Sequence, residues 1–219
     1  MVDTASKSGF QKAKMLSVAR KLFWEKGYNA TGMRDIAKAY GCKPANIYNF
    51  FVNKEEILFQ VLREEMEKIL DPIRHLEEDQ ETPPLEQLRE IIYVHLKITL
   101  SYRRSAGLLF DATLDKLSPP KRKIIVEYRD LYDCILRKVI QRGIDAGYFH
   151  KTNVKLAGFM IASMITRSRV WFHPKKGVNV DELADFIFQF TCHGLMGKDA
   201  AKTSGQAEHR PSGISGVSA

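Results

Sequence analysis

Residues 23–58 read FWEKGYNATGMRDIAKAYGCKPANIYNFFVNKEEIL, and this stretch decides the fold. Gly27 follows a run in which Ala13, Leu16, Ala19, Leu22 and Phe23 recur at helical spacing, opposite Lys12, Lys14, Arg20 and Lys21. A glycine at that point takes the left-handed conformation that closes a helix, and Lys26 complements the negative end of its dipole. After the connector Tyr28-Asn29-Ala30, Thr31 is placed to cap a second helix, Met33 to Tyr40, that buries Met33, Ile36 and Ala37. Gly41 ends it. Pro44 suits the first turn of a third helix, Pro44 to Phe51, where its missing N–H costs nothing. Ile47 and one or both phenylalanines then face inward, and Asn53 caps a fourth helix opening with Lys54-Glu55-Glu56.

Two short helices joined by a tight glycine turn and laid on a preceding helix describe a helix-turn-helix. The second of them is narrow enough to enter a DNA major groove. Its outer face carries Lys43, Asn46, Tyr48 and Asn49, and no carboxylate that would repel phosphate. Charge distribution points the same way. The chain of 219 residues has a formal charge of +8, and residues 1–54 hold ten Lys/Arg against three Asp/Glu. The remaining residues are nearly balanced. A basic segment beside a neutral body suggests a polyanionic partner, nucleic acid before an anionic membrane.

The pattern Gly27-Tyr28-x-Ala-Thr31-x-Met33-x-x-Ile36-Ala37-x-x-x-Gly41, followed by Ile47-Tyr48-x-x-Phe51-x-x-Lys54-Glu55-x-Ile57-Leu58, resembles the DNA-binding domain of TetR-family transcriptional regulators. The resemblance implies that Thr31 and Arg34 meet backbone phosphate at the start of the second helix. It implies that Lys43, Ala45, Asn46 and Asn49 face base edges or nearby phosphates, and that Tyr48 and Lys54 clamp phosphates. Two positions depart from the family pattern: Lys43 stands where Ser is common, and Ala45 where Gly is common. The missing Ser cap is worth about 1 kcal/mol, partly offset by Pro44.

From Lys54 onward the periodicity is helical, so the fold class is all-α, with about nine helices. The expected organisation is a helix-turn-helix domain over 8–53, a helical effector-binding and dimerisation domain over 54–197, and a disordered Ser/Gly/Ala-rich tail over 198–219. The fourth helix should run to Asp71-Pro72. Later apolar stripes run from Leu85 to Thr99 and from Leu108 to Leu114. Another follows Ser118-Pro119-Pro120 and frays at Gly143 and Gly147. Thr152-Asn153 caps a penultimate helix running to Pro174, and the last begins near Asp181.

The last helix is apolar on two faces, Leu183, Phe186, Ile187 and Phe190 on one and Phe188, Cys192 and Leu195 on the other. A second copy of the chain, adding Phe159 of the penultimate helix to the contact, covers one of them; the alternative is a helix central within the monomer. Family resemblance implies the dimer, and a two-fold dimer requires a pseudo-palindromic operator.

No catalytic motif emerges, the six histidines are scattered, and no metal set or cofactor fingerprint is present, so the expectation is a non-enzyme. His95 sits on an apolar stripe and reads as a hydrogen-bonded core histidine. A body of this size suggests an effector pocket, with Tyr93, Phe110, Tyr128, Tyr132, Phe159 and Ser163 as candidate lining. Arg167 and Trp171 are four apart on one helix face. That segment resembles the branch of the family answering to acyl-CoA thioesters, which implies that Arg167 and Trp171 recognise a CoA-linked ligand. Alternatives are an Arg167 bridge to Asp111, Asp115 or Asp185, and a non-CoA aromatic or lipophilic effector. A rival of another class is an enzyme or carrier with an incidental basic head. No apolar run approaches the roughly 18–20 residues of a membrane span. Three unpaired cysteines and no export signal place the chain in the cytoplasm, without membrane partners.

Overall fold

The computed structural model describes residues 3–101, 113–173 and 177–196. Among the described residues the regular elements are eight α-helices and two 3₁₀ turns, with no strand: α1 (Asp3–Lys26), α2 (Met33–Tyr40), α3 (Pro44–Tyr48), α4 (Lys54–Ile73), α5 (Pro84–Ser101), α6 (Pro119–Asp145), α7 (Val154–Trp171) and α8 (Val180–Met196). The 3₁₀ turns are Arg74–Glu77 and Leu114–Lys116. The apolar stretch from Leu108 falls largely outside the described residues, as does the tail expected to be disordered.

Helix boundaries follow local chemistry. Gly27 and Gly41 both take φ of +85°, and the Gly41 N–H closes on α2 carbonyls. Asn53 Oδ1 accepts the Glu56 N–H at 2.8 Å, and Asn153 Oδ1 accepts the Lys155 and Leu156 N–H groups, each at 3.1 Å. Asn179 and Glu182 cap α8 reciprocally at 2.9 Å. Three ends differ from expectation, the first being α7, which stops at Trp171 with Phe172 already extended and not at Pro174. α4 carries Pro72 inside its last turn and runs to Ile73. α3 stops at Tyr48, because the Phe50 and Phe51 N–H groups both turn back to the Ile47 carbonyl and fold Phe51 into the core.

Two hydrophobic cores meet within α4. The first joins α1, α2 and α3 to the α4 residues Ile57, Leu58, Val61 and Leu62, and takes in Leu117 and Ile125 from the body. The second gathers Leu70 and Ile73 with the buried faces of α5, α6, α7 and α8. α5 is the central post of the body, touching α4, α6, α7 and α8. One rigid helix therefore belongs to both head and body.

Three expectations are corrected here. Arg20, assigned to the solvent face of α1, is buried and ion-paired with Glu64 and Glu65 of α4, Nε to Glu65 Oε1 at 3.1 Å. Gly143 does not lie in a fraying end; it is buried in α6, and a Cβ there would meet the Phe149 ring at 2.2 Å. Leu183 and Ile187 do not share the open face of α8 with Phe186 and Phe190. They are buried in their own chain alongside Phe188, Cys192 and Leu195, whereas Phe186 and Phe190 stand 67% and 61% exposed. At 100° per residue Leu183 and Ile187 sit on the border between the two apolar arcs, and packing against α5 draws them inward.

Candidate functional site

The head presents α3 by burying little of it. Ile47 is the buried residue of the helix, and Lys43, Ala45, Asn46, Tyr48 and Asn49 are all exposed on its outer side. Arg34 is exposed at the start of α2. Thr31 departs from its expected place. It is fully buried, and its hydroxyl donates to the Leu22 and Gly27 carbonyls at 3.3 and 2.9 Å. The cap of α2 is Gly32 instead, its N–H donating to Asp35 Oδ2 at 2.7 Å. Thr31 thus locks the turn after α1 and offers nothing to a phosphate. Lys54 also has internal work: Nζ donates to the Tyr28 carbonyl at 3.0 Å and lies 4.2 Å from the centre of the Tyr28 ring.

A cavity of about 980 Å³ opens between α4, α5, α6 and α7. Met66 and Ile69 of α4, Ile98 of α5 and Ala162 and Phe159 of α7 supply apolar wall. Cations gather on the α6 and α7 sides: Arg129, Arg137, Lys155, Arg167 and Arg169. Glu65, Asp130 and Asp133 interleave with them. Burial pushes the Asp133 carboxyl up, against the opposing pull of Arg129 and Arg137. His95, Thr99 and Tyr132 form the buried polar part of the lining.

Of the expected effector contacts, Tyr132, Phe159, Ser163 and Arg167 line this cavity. Tyr93 faces elsewhere, beneath Arg89 and Lys97 on the side where Arg89 pairs with Asp185 of α8 at 2.8 Å. Tyr128 lies outside the lining, its hydroxyl donating to Glu67 at 2.9 Å. Trp171 is exposed and outside the lining, and Phe110 lies outside the described residues. The bridge alternatives for Arg167 also narrow, since Asp185 pairs with Arg89 and Asp115 with Lys116, while Asp111 lies outside the described residues.

On α7 the residues Leu156, Phe159, Met160, Ser163, Arg167, Val170 and Trp171 fall on one exposed stripe. Phe186 and Phe190 of α8 stack, ring centroids 6.4 Å apart, on exposed surface of their own. Among the described residues no helix is long and apolar enough to cross a membrane, and no group of three or more His, Cys, Asp or Glu is placed to hold a metal.

Residues 15–61 match the family model described as bacterial regulatory proteins, tetR family, and residues 81–195 match the tetracyclin repressor-like C-terminal domain. The chain belongs to the TetR family. DNA binding through a helix-turn-helix, regulation of transcription and a repressor's architecture come with that membership. The HTH-type transcriptional repressor KstR2 of Rhodococcus jostii is 26% identical over 204 residues, covering 88% of this chain and 94% of that protein. The TetR-family regulator PfmR from Thermus thermophilus is 29% identical over 81% of this chain and 96% of its own, with a TM-score of 0.71. AibR, solved with isovaleryl coenzyme A and operator DNA, superposes with a TM-score of 0.71 at 20% identity, over 82% of this chain and 97% of that one.

In this TetR-family chain, sequence reasoning missed Glu65, which lines the cavity while pairing with Arg20 of the head. The arginine's place on the polar side of α1 gave no sign of burial. Lys68 and Glu65 pair within α4, but the arginine that completes the cluster comes from α1, which no local pattern shows. The cations Arg129 and Arg137 on α6 were legible only as helix-surface charge.

Proposed function

We propose that this chain is a homodimeric one-component repressor that holds a pseudo-palindromic operator and is released by an amphipathic anion, an acyl-CoA thioester, bound in the α4–α7 cavity. The carrying observation is that cavity: apolar wall beside a cluster of cations, one side of it formed by the helix that also belongs to the head. Its size suits a ligand well beyond a metabolite fragment, since ligand pockets run from roughly 300 to 1,000 Å³. Arg167 is exposed, reaches the cavity, and makes no ion pair among the described residues, as expected of a group awaiting an anion. The cited AibR complex, with a CoA ester and operator DNA on one fold, supports the same reading.

The DNA surface is Arg34, Lys43, Ala45, Asn46, Tyr48 and Asn49, with Thr31 and Lys54 bracing it from behind. The dimer forms through the apolar residues Leu156, Phe159, Met160 and Trp171 of α7 with Phe186 and Phe190 of α8, which sets the two α3 helices about 34–36 Å apart, one turn of DNA. Ligand preference for one body geometry tilts α4 and misplaces those helices; the ligand shifts the balance only by its differential affinity for the two states. The regulator works in the cytoplasm, on 8–53 as head and 54–197 as body.

The test is fluorescence anisotropy on an operator selected from random duplexes. Hexadecanoyl-CoA should release the DNA and free CoA should not. Arg167→Ala should lose release while keeping operator affinity. A non-CoA lipophilic effector is the second reading, favoured by the three carboxylates on the cavity wall. Failure of every CoA ester to release DNA decides for it.

A further inference from the structure

The cavity lining contains a hydrogen-bonding pair that an anion with a plain hydrocarbon tail does not use. His95 on α5 and Tyr132 on α6 are both buried and both line the cavity. His95 Nδ1 lies 2.7 Å from the Tyr132 hydroxyl, with the rings edge to face at 4.9 Å. Burial and the neighbouring Arg169 hold the imidazole uncharged, its pKa lowered to about 3. Burial raises that of the Tyr132 hydroxyl, with Asp133 adding to the effect. Both groups are neutral at neutral pH.

A neutral imidazole offers one donor and one acceptor, and a phenol one donor and two lone pairs. Their mutual bond uses one donor and one acceptor. In one tautomer the remaining donor is His95 Nε2–H; in the other it is the Tyr132 O–H. Either way a donor and an acceptor remain, and among the described residues no protein group takes them. A hydrocarbon tail pressed against this wall would expel the water such groups hold and leave them unsatisfied. A hydroxyl or carbonyl oxygen at the same place completes them.

We propose that the His95–Tyr132 pair selects effectors whose apolar body carries a hydroxyl or carbonyl oxygen, so that the ligand class is an oxygenated amphipathic anion. This rests on the cavity being the effector site. A site built to bond an oxygen discriminates against the analogue lacking it far better than an apolar pocket discriminates by size.

Titration calorimetry tests it with hexadecanoyl-CoA, its mid-chain hydroxy, mid-chain keto and ω-hydroxy analogues, and the corresponding free acids. At least one oxygenated ligand should bind wild-type protein about tenfold or more tightly than its parent. Tyr132→Phe should collapse that ratio toward one, chiefly by loss of affinity for the oxygenated ligand. The double variant His95→Leu/Tyr132→Phe, which leaves no orphaned partner, should do the same if the single one melts early. Equal affinity for oxygenated and parent ligands, or equal loss of both in Tyr132→Phe, overturns the inference and leaves the effector site standing. Binding of hydroxylated free acids but no CoA ester overturns the thioester reading and keeps the inference. No binding by any probe overturns both.

Discussion

Asn46 stands on the open side of α3 with its side chain free of bonds to its own chain among the described residues. A carboxamide so placed can take the two-point hydrogen bond that adenine offers in the major groove. Asn46→Ala should therefore cut the preference for operator over random duplex by about tenfold, with random-duplex affinity unchanged, read by anisotropy on both DNAs. His95 carries a second prediction at this scale. Folded, it stays neutral down to about 3, whereas in an unfolded chain it titrates near roughly 6.5. Between those values the unfolded state binds the extra proton, so stability present above pH ~6.5 falls as pH is lowered. Thermal and urea melts should lose up to ~1.4 kcal/mol per pH unit in that window from this group, and His95→Leu should flatten the slope. His95 as a bonded core histidine was legible from its place on an apolar stripe. That its partner is Tyr132, and that both face a cavity, was not, because they lie 37 residues apart on different helices.

At the scale of the element, α4 is the part that joins head and body. Its first half completes the head core and its second half enters the body core, while Glu65 faces both the cavity and Arg20. The start of α6 is tied to it as well: the Ser118 N–H donates to Glu55 at 2.9 Å, which holds the Glu55 carboxyl below its usual range, and Lys121 pairs with Glu56 at 3.0 Å. Arg20→Leu removes the cation between α1 and α4. Breaking a fully buried pair costs roughly 3–5 kcal/mol, but Lys68 remains beside Glu65 and Glu64 is a third exposed. A loss of about 2 kcal/mol in denaturant unfolding is expected, with weaker coupling between effector and operator affinity. An unchanged melting curve would show that the pair does not join the helices energetically. Helix ends were readable from Gly27, Gly41, Asn53 and Asn153, since capping depends on a few adjacent residues. Thr31 misled because Gly32 and Asp35 form the cap instead, which frees the threonine to turn inward.

For the molecule as a whole, the exposed apolar surface of α7 and α8 is what remains once each chain has filled its own core. Leu156, Met160, Trp171, Phe186 and Phe190 all stand more than half exposed, large apolar side chains that a second copy of the chain would cover. Phe186→Asp should convert a dimer to monomer in sedimentation analysis and reduce operator affinity by a hundredfold or more, through loss of the second half-site. A variant that stays dimeric would move the interface off α8.

The sequence by itself determined the helices, the helix-turn-helix and the family, because caps, glycine turns and apolar periodicity act over a few residues and each was present in the chain. Only the tertiary structure decided which border residues go inward, which charges are buried, and which side chains from four helices line one cavity. Those outcomes depend on how whole helices pack. Leu183 and Phe186 carry the same hydrophobic signal in the sequence, and the neighbour that meets one and not the other is contributed by α5, some ninety residues earlier in the chain.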